Sequence, residues 1–198
     1  MSNSELIAVL ESDAPQKEKA DACRQLARTG TKEAVPVLAA MLGDEKLSHM
    51  ARYALEPIPD PAVDDALRDA LGKLNGRPLV GAIGSIGVRR DAAAVEPLSK
   101  MLAHADADVA RVTAGALGKI ATADAAKAVG QALGDVPAAR RPAVAEACLA
   151  CAEALLAADK GSEAAAMYRA VDKADLPKHF GVAAKYGLLQ AQKPAGTP

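Results

Sequence analysis

Apolar residues recur along the chain at spacings of three and four, which is the spacing of one face of an α-helix. The segment "LSHMARYALEPI" has apolar residues at positions 47, 50, 51, 54, 55 and 58, and "VARVTAGALGKI" has them at 109, 112, 116, 117 and 120. No stretch alternates apolar and polar residues, and no block is rich in valine, isoleucine and aromatic residues. The pattern predicts an all-α protein.

The same pattern predicts six antiparallel helical pairs. The first helices of the pairs cover roughly residues 4–12, 33–43, 61–73, 92–103, 123–134 and 161–174. The second helices cover roughly residues 17–29, 46–57, 77–88, 107–120, 138–158 and 177–191.

Four of the first helices end on a similar phrase, which indicates an internal repeat. Their last leucines are Leu42, Leu71, Leu102 and Leu133, at intervals of 29, 31 and 31 residues. One helical pair cannot bury its apolar faces alone, whereas stacked neighbours can. The repeat therefore predicts an α-solenoid.

Polar residues and glycines mark the expected helix ends. Residues suited to cap a helix N-terminus stand before four predicted first helices, at Thr31, Asp60, Asp91 and Thr122. Glycines suited to a left-handed C-cap stand near three predicted ends, at Gly30, Gly87 and Gly134.

The phrases "ALGKIATADAAKAV" (116–129) and "YALEPIPDPAVDDAL" (53–67) resemble HEAT repeats, especially the short bacterial type related to bilin lyases. The resemblance covers about residues 17–158 and implies a right-handed α-α superhelix of about six antiparallel pairs. We expect residues 1–158 to form the HEAT-like array. The segment "GSEAAAMYRAVDKADLPKHFGVAAKYGLL" is similar to a tetratricopeptide hairpin, so we expect a continuous C-terminal hairpin over 159–192 and a disordered tail over 193–198.

Composition narrows the classes of function. The net charge is −1, three cysteines are too few for a disulfide framework, and the longest apolar stretch contains Glu153 and is too short to span a bilayer. A cytoplasmic location without membrane contact is the default expectation, although a domain cut from a larger exported protein would have the same composition.

No residue set predicts catalysis, a cofactor or a metal site. Cys148 and Cys151 form a Cys-x-x-Cys motif, but it lies mid-helix without a second ligand pair, so packing is the favoured interpretation. Three histidines, His49, His104 and His179, lack metal-ligand spacing. The glycines of "GAIGSIG" (81–87) have helical spacing, which favours close helix packing over a phosphate loop. Three carboxylates, Asp64, Asp65 and Asp69, are expected on a solvated face.

Charge divides unequally between the two helix layers. With a flanking residue or two included, the first helices carry 8 basic and 17 acidic residues, and the second helices carry 16 basic and 6 acidic residues. Helix capping explains some of the acidic residues. In HEAT-like solenoids the second helices line the concave face, so the resemblance implies a basic concave face.

These observations predict a non-enzymatic scaffold that binds a protein, an acidic peptide or another domain of a larger chain. The predicted contact residues on or beside the second helices are Arg24, Arg28, Arg52, Arg77, Arg90, Arg111 and Arg141. Nucleic-acid binding of the DNA-repair glycosylase type is favoured by the basic layer and opposed by the scarcity of aromatic residues. A bilin-lyase-like enzyme is compatible with the repeat style, but the sequence offers no nucleophile or acid–base pair for it.

Overall fold

The computed structural model describes residues 1–192, which form twelve α-helices and no strand. The helices are α1 (Asn3–Glu11), α2 (Gln16–Thr29), α3 (Val35–Ala40), α4 (Ser48–Leu55), α5 (Pro61–Leu71), α6 (Gly76–Arg89), α7 (Val95–Met101), α8 (Ala107–Ile120), α9 (Ala123–Asp135), α10 (Arg141–Ala157), α11 (Gly161–Lys173) and α12 (Lys178–Ala191). The all-α fold and the six predicted pairs are confirmed. Single turns of 3-10 helix precede α3, α7 and α10, so these three helices begin later than predicted.

The chain divides into two compact units. Unit 1 is Met1–Arg89, and unit 2 comprises the residues from Arg90 onward. In unit 1, α2 packs on α4 and α4 on α6, while α1 packs on α3 and α3 on α5. Unit 1 therefore has a first-helix layer (α1, α3, α5) and a second-helix layer (α2, α4, α6).

Unit 2 has the same two-layer arrangement. Its second-helix layer is α8, α10 and α12, and its first-helix layer is α7, α9 and α11. Helix α11 also packs against α10 and α12. The tetratricopeptide likeness of the hairpin and a domain boundary at residue 158 stay predictions, and the predicted tail (193–198) lies outside the described residues.

Equivalent leucines form the core of successive pairs. Leu38, Leu67 and Leu98, at intervals of 29 and 31 residues, are each fully buried. Small residues bring the second helices close together: a Cβ added at the buried Gly118 of α8 would lie 3.0 Å from the Cα of Ala147 in α10. Large leucines fill the space within a pair, and alanine and glycine let neighbouring pairs approach.

Three of the four predicted N-caps are confirmed. Asp60 accepts a hydrogen bond from the Ala62 amide and Thr122 from the Ala125 amide, each beginning an α-helix. Asp91 caps the 3-10 turn that precedes α7. Thr31 is a correction, because its hydroxyl donates to the Glu33 carboxylate and makes no cap hydrogen bond.

Gly30 is the C-cap of α2, as predicted, but none of the three predicted glycines is a left-handed C-cap. Gly30 has an extended backbone with φ −63°, and Gly87 and Gly134 lie inside α6 and α9. Left-handed residues do follow three second helices, but they are not glycines: they are Arg90, Ala121 and Asp159, with φ of 55°, 51° and 57°.

Arg89, at the end of α6, fixes the turn between α4 and α5. Its guanidinium donates to the carbonyl oxygens of Glu56 and Ile58, each at 2.8 Å, and to the Asp64 carboxylate at 2.5 Å. The Arg89 side chain is only 11% exposed. One buried cation therefore holds a turn that has no regular secondary structure of its own.

Within residues 1–192, no helix combines the length and the apolar content needed to cross a membrane. The cytoplasmic location stays a prediction.

Candidate functional site

The charge asymmetry is concentrated in unit 1. Within the helix bounds, its second-helix layer carries seven basic and two acidic residues, whereas its first-helix layer carries one basic and five acidic residues. In unit 2 the second-helix layer carries five basic and three acidic residues, and the first-helix layer four basic and five acidic. The excess of basic over acidic residues in the second-helix layer is therefore larger in unit 1 (α2, α4 and α6) than in unit 2.

Four of the predicted contact arginines lie in unit 1. Arg24 and Arg28 are exposed on α2, where Arg24 pairs with Asp21. Arg77 is exposed in the first turn of α6, and Arg52 of α4 is half-buried. All four therefore belong to the second-helix layer of this unit.

The other three arginines lie in unit 2 and differ in setting. Arg90 is exposed in the turn after α6 and belongs to no helix. Arg111 is 64% exposed and lies 3.2 Å from Asp108. Arg141 begins α10 and is half-buried, and its Nε atom has no hydrogen-bond partner within residues 1–192.

A cleft of about 650 Å³ opens at the N-terminal ends of α4 and α6. Its lining includes the side chains of Glu45, Ser48, His49, Arg52 and Arg77. Two arginines and a histidine thus face one glutamate at a site formed by two neighbouring second helices.

Arg52 has an unusual environment in this cleft. Its guanidinium lies so close to the backbone of Gly81 that a Cβ there would be 2.6 Å from Nε. Burial lowers the pKa of the guanidinium below its usual value, and the nearby Glu56 charge opposes that shift. Glu56 itself accepts a hydrogen bond from Ser85 at 2.7 Å. Arg52 is thus partly buried beside the carboxylate of Glu56, which is itself hydrogen-bonded to Ser85.

Two exposed apolar residues accompany the basic layer of unit 1. Tyr53 of α4 is 56% exposed, and Val88 of α6 is 53% exposed. Both lie in the last turns of helices that pack on each other. Sequence reasoning missed Tyr53, although its position off the apolar face of α4 was a usable signal, because exposed tyrosines are enriched in protein interfaces.

A larger groove of about 810 Å³ lies in unit 2, between α7 and α9. Its floor contains alanines, Val95 and Leu102, and its charged lining mixes both signs. Arg140 closes one end by donating to the carbonyl oxygens of His104 and Ala105. In this groove three acidic residues (Glu96, Asp124 and Asp135) accompany two basic ones (Lys127 and Arg140), whereas in the unit 1 cleft the basic residues outnumber the one glutamate.

The three cysteines are buried and free. Burial raises the pKa of the Cys148 thiol to about 12, and those of Cys23 and Cys151 to about 11. At neutral pH the thiols are protonated and unsuited to nucleophilic attack or metal binding. This environment supports the packing interpretation.

The remaining candidates from the sequence are the histidines and the glycine-rich segment "GAIGSIG". His104 Nδ1 accepts a hydrogen bond from the Asp106 amide, and the His179 ring lies 4.4 Å from that of Phe180. No group of three metal-ligating side chains occurs in the described part of the chain. The segment "GAIGSIG" is helical, within α6.

One of the three carboxylates of α5 differs from expectation. Asp65 and Asp69 are exposed, as predicted. Asp64 is a correction: its side chain is only 23% exposed because it is held by Arg89 of α6.

Several solved structures are similar to this chain. An engineered protein of known crystal structure matches with a TM-score of 0.53 and 20% identity, over 97% of each chain. A designed armadillo repeat protein matches with a TM-score of 0.47 and 18% identity, over 96% of this chain and all of that one. The complex of CpcE and CpcF of phycocyanin lyase from Nostoc sp. PCC7120 matches with a TM-score of 0.47 and 20% identity, over 96% of this chain and 76% of that one. The likeness to the engineered protein shows the fold alone.

The fold is that of a helical repeat protein. Residues 3–80 match the family model for HEAT repeats, which confirms the predicted HEAT-like repeats for that part of the chain. No curated protein sequence shows a significant match to the chain.

Proposed function

We propose that the protein is a non-enzymatic HEAT-repeat scaffold that binds an acidic segment of a partner protein through the second-helix layer of unit 1. The charge difference between the layers of that unit carries the proposal. Basic side chains on neighbouring helices add to one another's potential and attract an acidic partner before contact.

The apolar groups of this surface also suit a protein ligand. Tyr53 offers a large amphipathic contact area, and Val88 adds an exposed apolar group on the neighbouring helix. Tyrosine side chains often supply binding energy at protein interfaces, whereas exposed charges chiefly set association rate and specificity. The protonated, buried thiols support a role other than catalysis.

The proposal is tested by reversing exposed charges in unit 1. The triple variant Arg24→Glu, Arg28→Glu, Arg77→Glu should bind a fluorescein-labelled hexaglutamate peptide about tenfold more weakly than the wild type, mainly through slower association. Stopped-flow fluorescence at several salt concentrations measures the rates. The wild-type rate should fall as salt rises, because the Debye length is only about 8 Å at physiological ionic strength.

A matched control separates the proposed surface from net charge. The variant Lys127→Glu, Arg169→Glu, Lys173→Glu changes the charge by the same amount at exposed positions of the first-helix layer of unit 2. It should bind the peptide much more tightly than the unit 1 variant. Equal losses in both variants, or no peptide binding by the wild type, would contradict the proposal.

A random-sequence DNA duplex tests the nucleic-acid alternative under the same conditions. The proposal expects weaker binding to the duplex than to the peptide. Tighter, strongly salt-dependent binding to DNA would replace the proposed partner with nucleic acid.

A further inference from the structure

The Arg52 guanidinium in the unit 1 cleft lacks the polar contacts that such a group ordinarily makes. It is half-buried against Gly81, and no described residue hydrogen-bonds to it or lies within ion-pair distance. A charged group that is partly removed from water loses solvation energy unless another group supplies hydrogen bonds. Arg52 is therefore ready to donate to a ligand oxygen.

Other donors line the same cleft. Ser48 is 7% exposed, and its side chain makes no hydrogen bond with the described residues. The exposed cation of Arg77 and the imidazole of His49 also line this space. The donors come from both helices, so the cleft presents several hydrogen-bonding groups to one bound oxyanion.

The start of α6 adds to this arrangement. Gly76 and Arg77 are its first two residues, and the first amides of a helix have no acceptor within it. Gly76 has φ of +52°, which favours glycine and leaves this corner of the cleft without a side chain. The amides and the positive end of the helix dipole complement the arginines.

We propose that this cleft is a carboxylate-binding subsite that holds one acidic side chain of the partner between Arg52 and Arg77. The proposal rests on the function proposed above and adds a defined position for one residue of the ligand. A guanidinium matches a carboxylate with two parallel hydrogen bonds, which gives geometric specificity as well as attraction. The volume of about 650 Å³ accommodates a whole acidic side chain with part of its backbone.

Two glutamates near Arg52 leave its donors available. Glu56 is bonded to Ser85, and Glu45 lines the cleft without an ion pair to either arginine. The two arginines outnumber the one carboxylate that lines the cleft. Glu45 therefore reduces the positive potential but does not cancel it.

Two glycine substitutions in one helix provide a test. In Gly81→Ala, the new Cβ would occupy the place of the Arg52 guanidinium and displace it without changing any charge. In Gly84→Ala, the new Cβ meets no atom within 4 Å. Both changes replace glycine within a helix by a better helix former, which should favour folding. We expect Gly81→Ala to bind hexaglutamate about tenfold more weakly than Gly84→Ala, which should bind like the wild type.

The variant Arg52→Gln removes the charge without altering α6. It should reproduce the Gly81→Ala loss, and circular dichroism should show that both variants remain helical. If Gly81→Ala and Arg52→Gln bind the peptide like the wild type, the subsite is wrong. The proposed function would survive that result if the triple arginine reversal still weakens binding.

Small anions test the subsite independently of the partner. Sodium acetate titrated into the ¹⁵N-labelled wild type should shift the Arg52 Nε–H resonance and the Arg77 amide, and Gly81→Ala should lose these shifts. Absence of the shifts in the wild type would overturn the subsite whether or not the peptide binds. Inorganic phosphate acting at a tenfold lower concentration than acetate, at matched ionic strength, would overturn the carboxylate assignment in favour of a phosphate ligand.

Discussion

At the scale of single residues, Arg89 is the side chain with the most demanding surroundings. It is largely buried and satisfies three backbone carbonyl oxygens as well as the Asp64 carboxylate. Truncation would leave Asp64 half-buried without its cation and the carbonyl oxygens without a donor. Removing one partner from such a pair is far more costly than removing an exposed ion pair.

We therefore predict that Arg89→Ala lowers the free energy of unfolding by about 3 kcal/mol. The control is Arg111→Ala, which removes an exposed pair with Asp108 and should cost less than about 1 kcal/mol. Urea unfolding followed by circular dichroism measures both variants. Similar losses for the two would show that Arg89 does not hold the turn.

The exposure of Arg111 can be predicted from the sequence, whereas the contact between Arg89 and Asp64 cannot, because its two residues are far apart along the chain. The exposure of Arg111 follows from its position on its own helix. The contact between Arg89 and Asp64 spans 25 residues and depends on how the chain turns after α4. A local pattern therefore places Asp64 on a solvated face, whereas the tertiary fold places a cation over it.

At the scale of elements, the ends of the helices are more varied than their interiors. Asp60 accepts a hydrogen bond from the Ala62 amide at 2.9 Å, with Pro61 as the first helical residue. Thr31 occupies the comparable place before α3, but a 3-10 turn intervenes and its hydroxyl faces Glu33. Similar sequences therefore begin their helices by different local interactions.

We predict that Asp60→Ala destabilises the protein by about 1 kcal/mol, the usual cost of losing an N-cap. The matched change Thr31→Ala should cost less than about 0.5 kcal/mol, because no cap hydrogen bond is lost and the position is exposed. Chemical denaturation of the two variants in parallel distinguishes them. An equal loss at Thr31 would indicate a capping role that its geometry does not provide.

The helical pairs are predictable from sequence because apolar spacing and packing act together over a dozen residues. The helix ends are less predictable, because the interactions of single residues determine where each helix begins or ends. Glycine is the usual residue for a left-handed turn, yet Arg90 and Ala121 adopt that conformation here. The short turn from a second helix to the next first helix requires a left-handed backbone conformation, whichever residue occupies that position.

At the scale of the whole molecule, the two compact units are the principal addition to the sequence analysis. The leucine intervals of 29, 31 and 31 residues run through the junction at Arg89 and Arg90 without a break. Periodicity therefore could not reveal the division. It also could not show that the excess of basic residues in the second-helix layer is greater in unit 1, because the predicted helix 138–158 includes Arg140, which lies in the 3-10 turn before α10.

We predict that residues 1–89 and residues 90–198 each fold when expressed separately. Repeat proteins depend mainly on contacts between neighbouring repeats, and each unit contains three helical pairs. Circular dichroism should show a helical spectrum and a cooperative thermal transition for both pieces. If either piece is unfolded at low temperature, folding of that unit requires the other.

The contact between Arg52 and Gly81 restricts which pairs of residues can occupy positions 52 and 81 during evolution. A side chain at position 81 and a guanidinium held over it are mutually exclusive, so position 81 cannot gain a side chain while Arg52 keeps its place. In natural variants of this protein, a residue other than glycine at position 81 should be accompanied by a change at position 52. Position 84, three residues away on the same helix, should vary without regard to position 52.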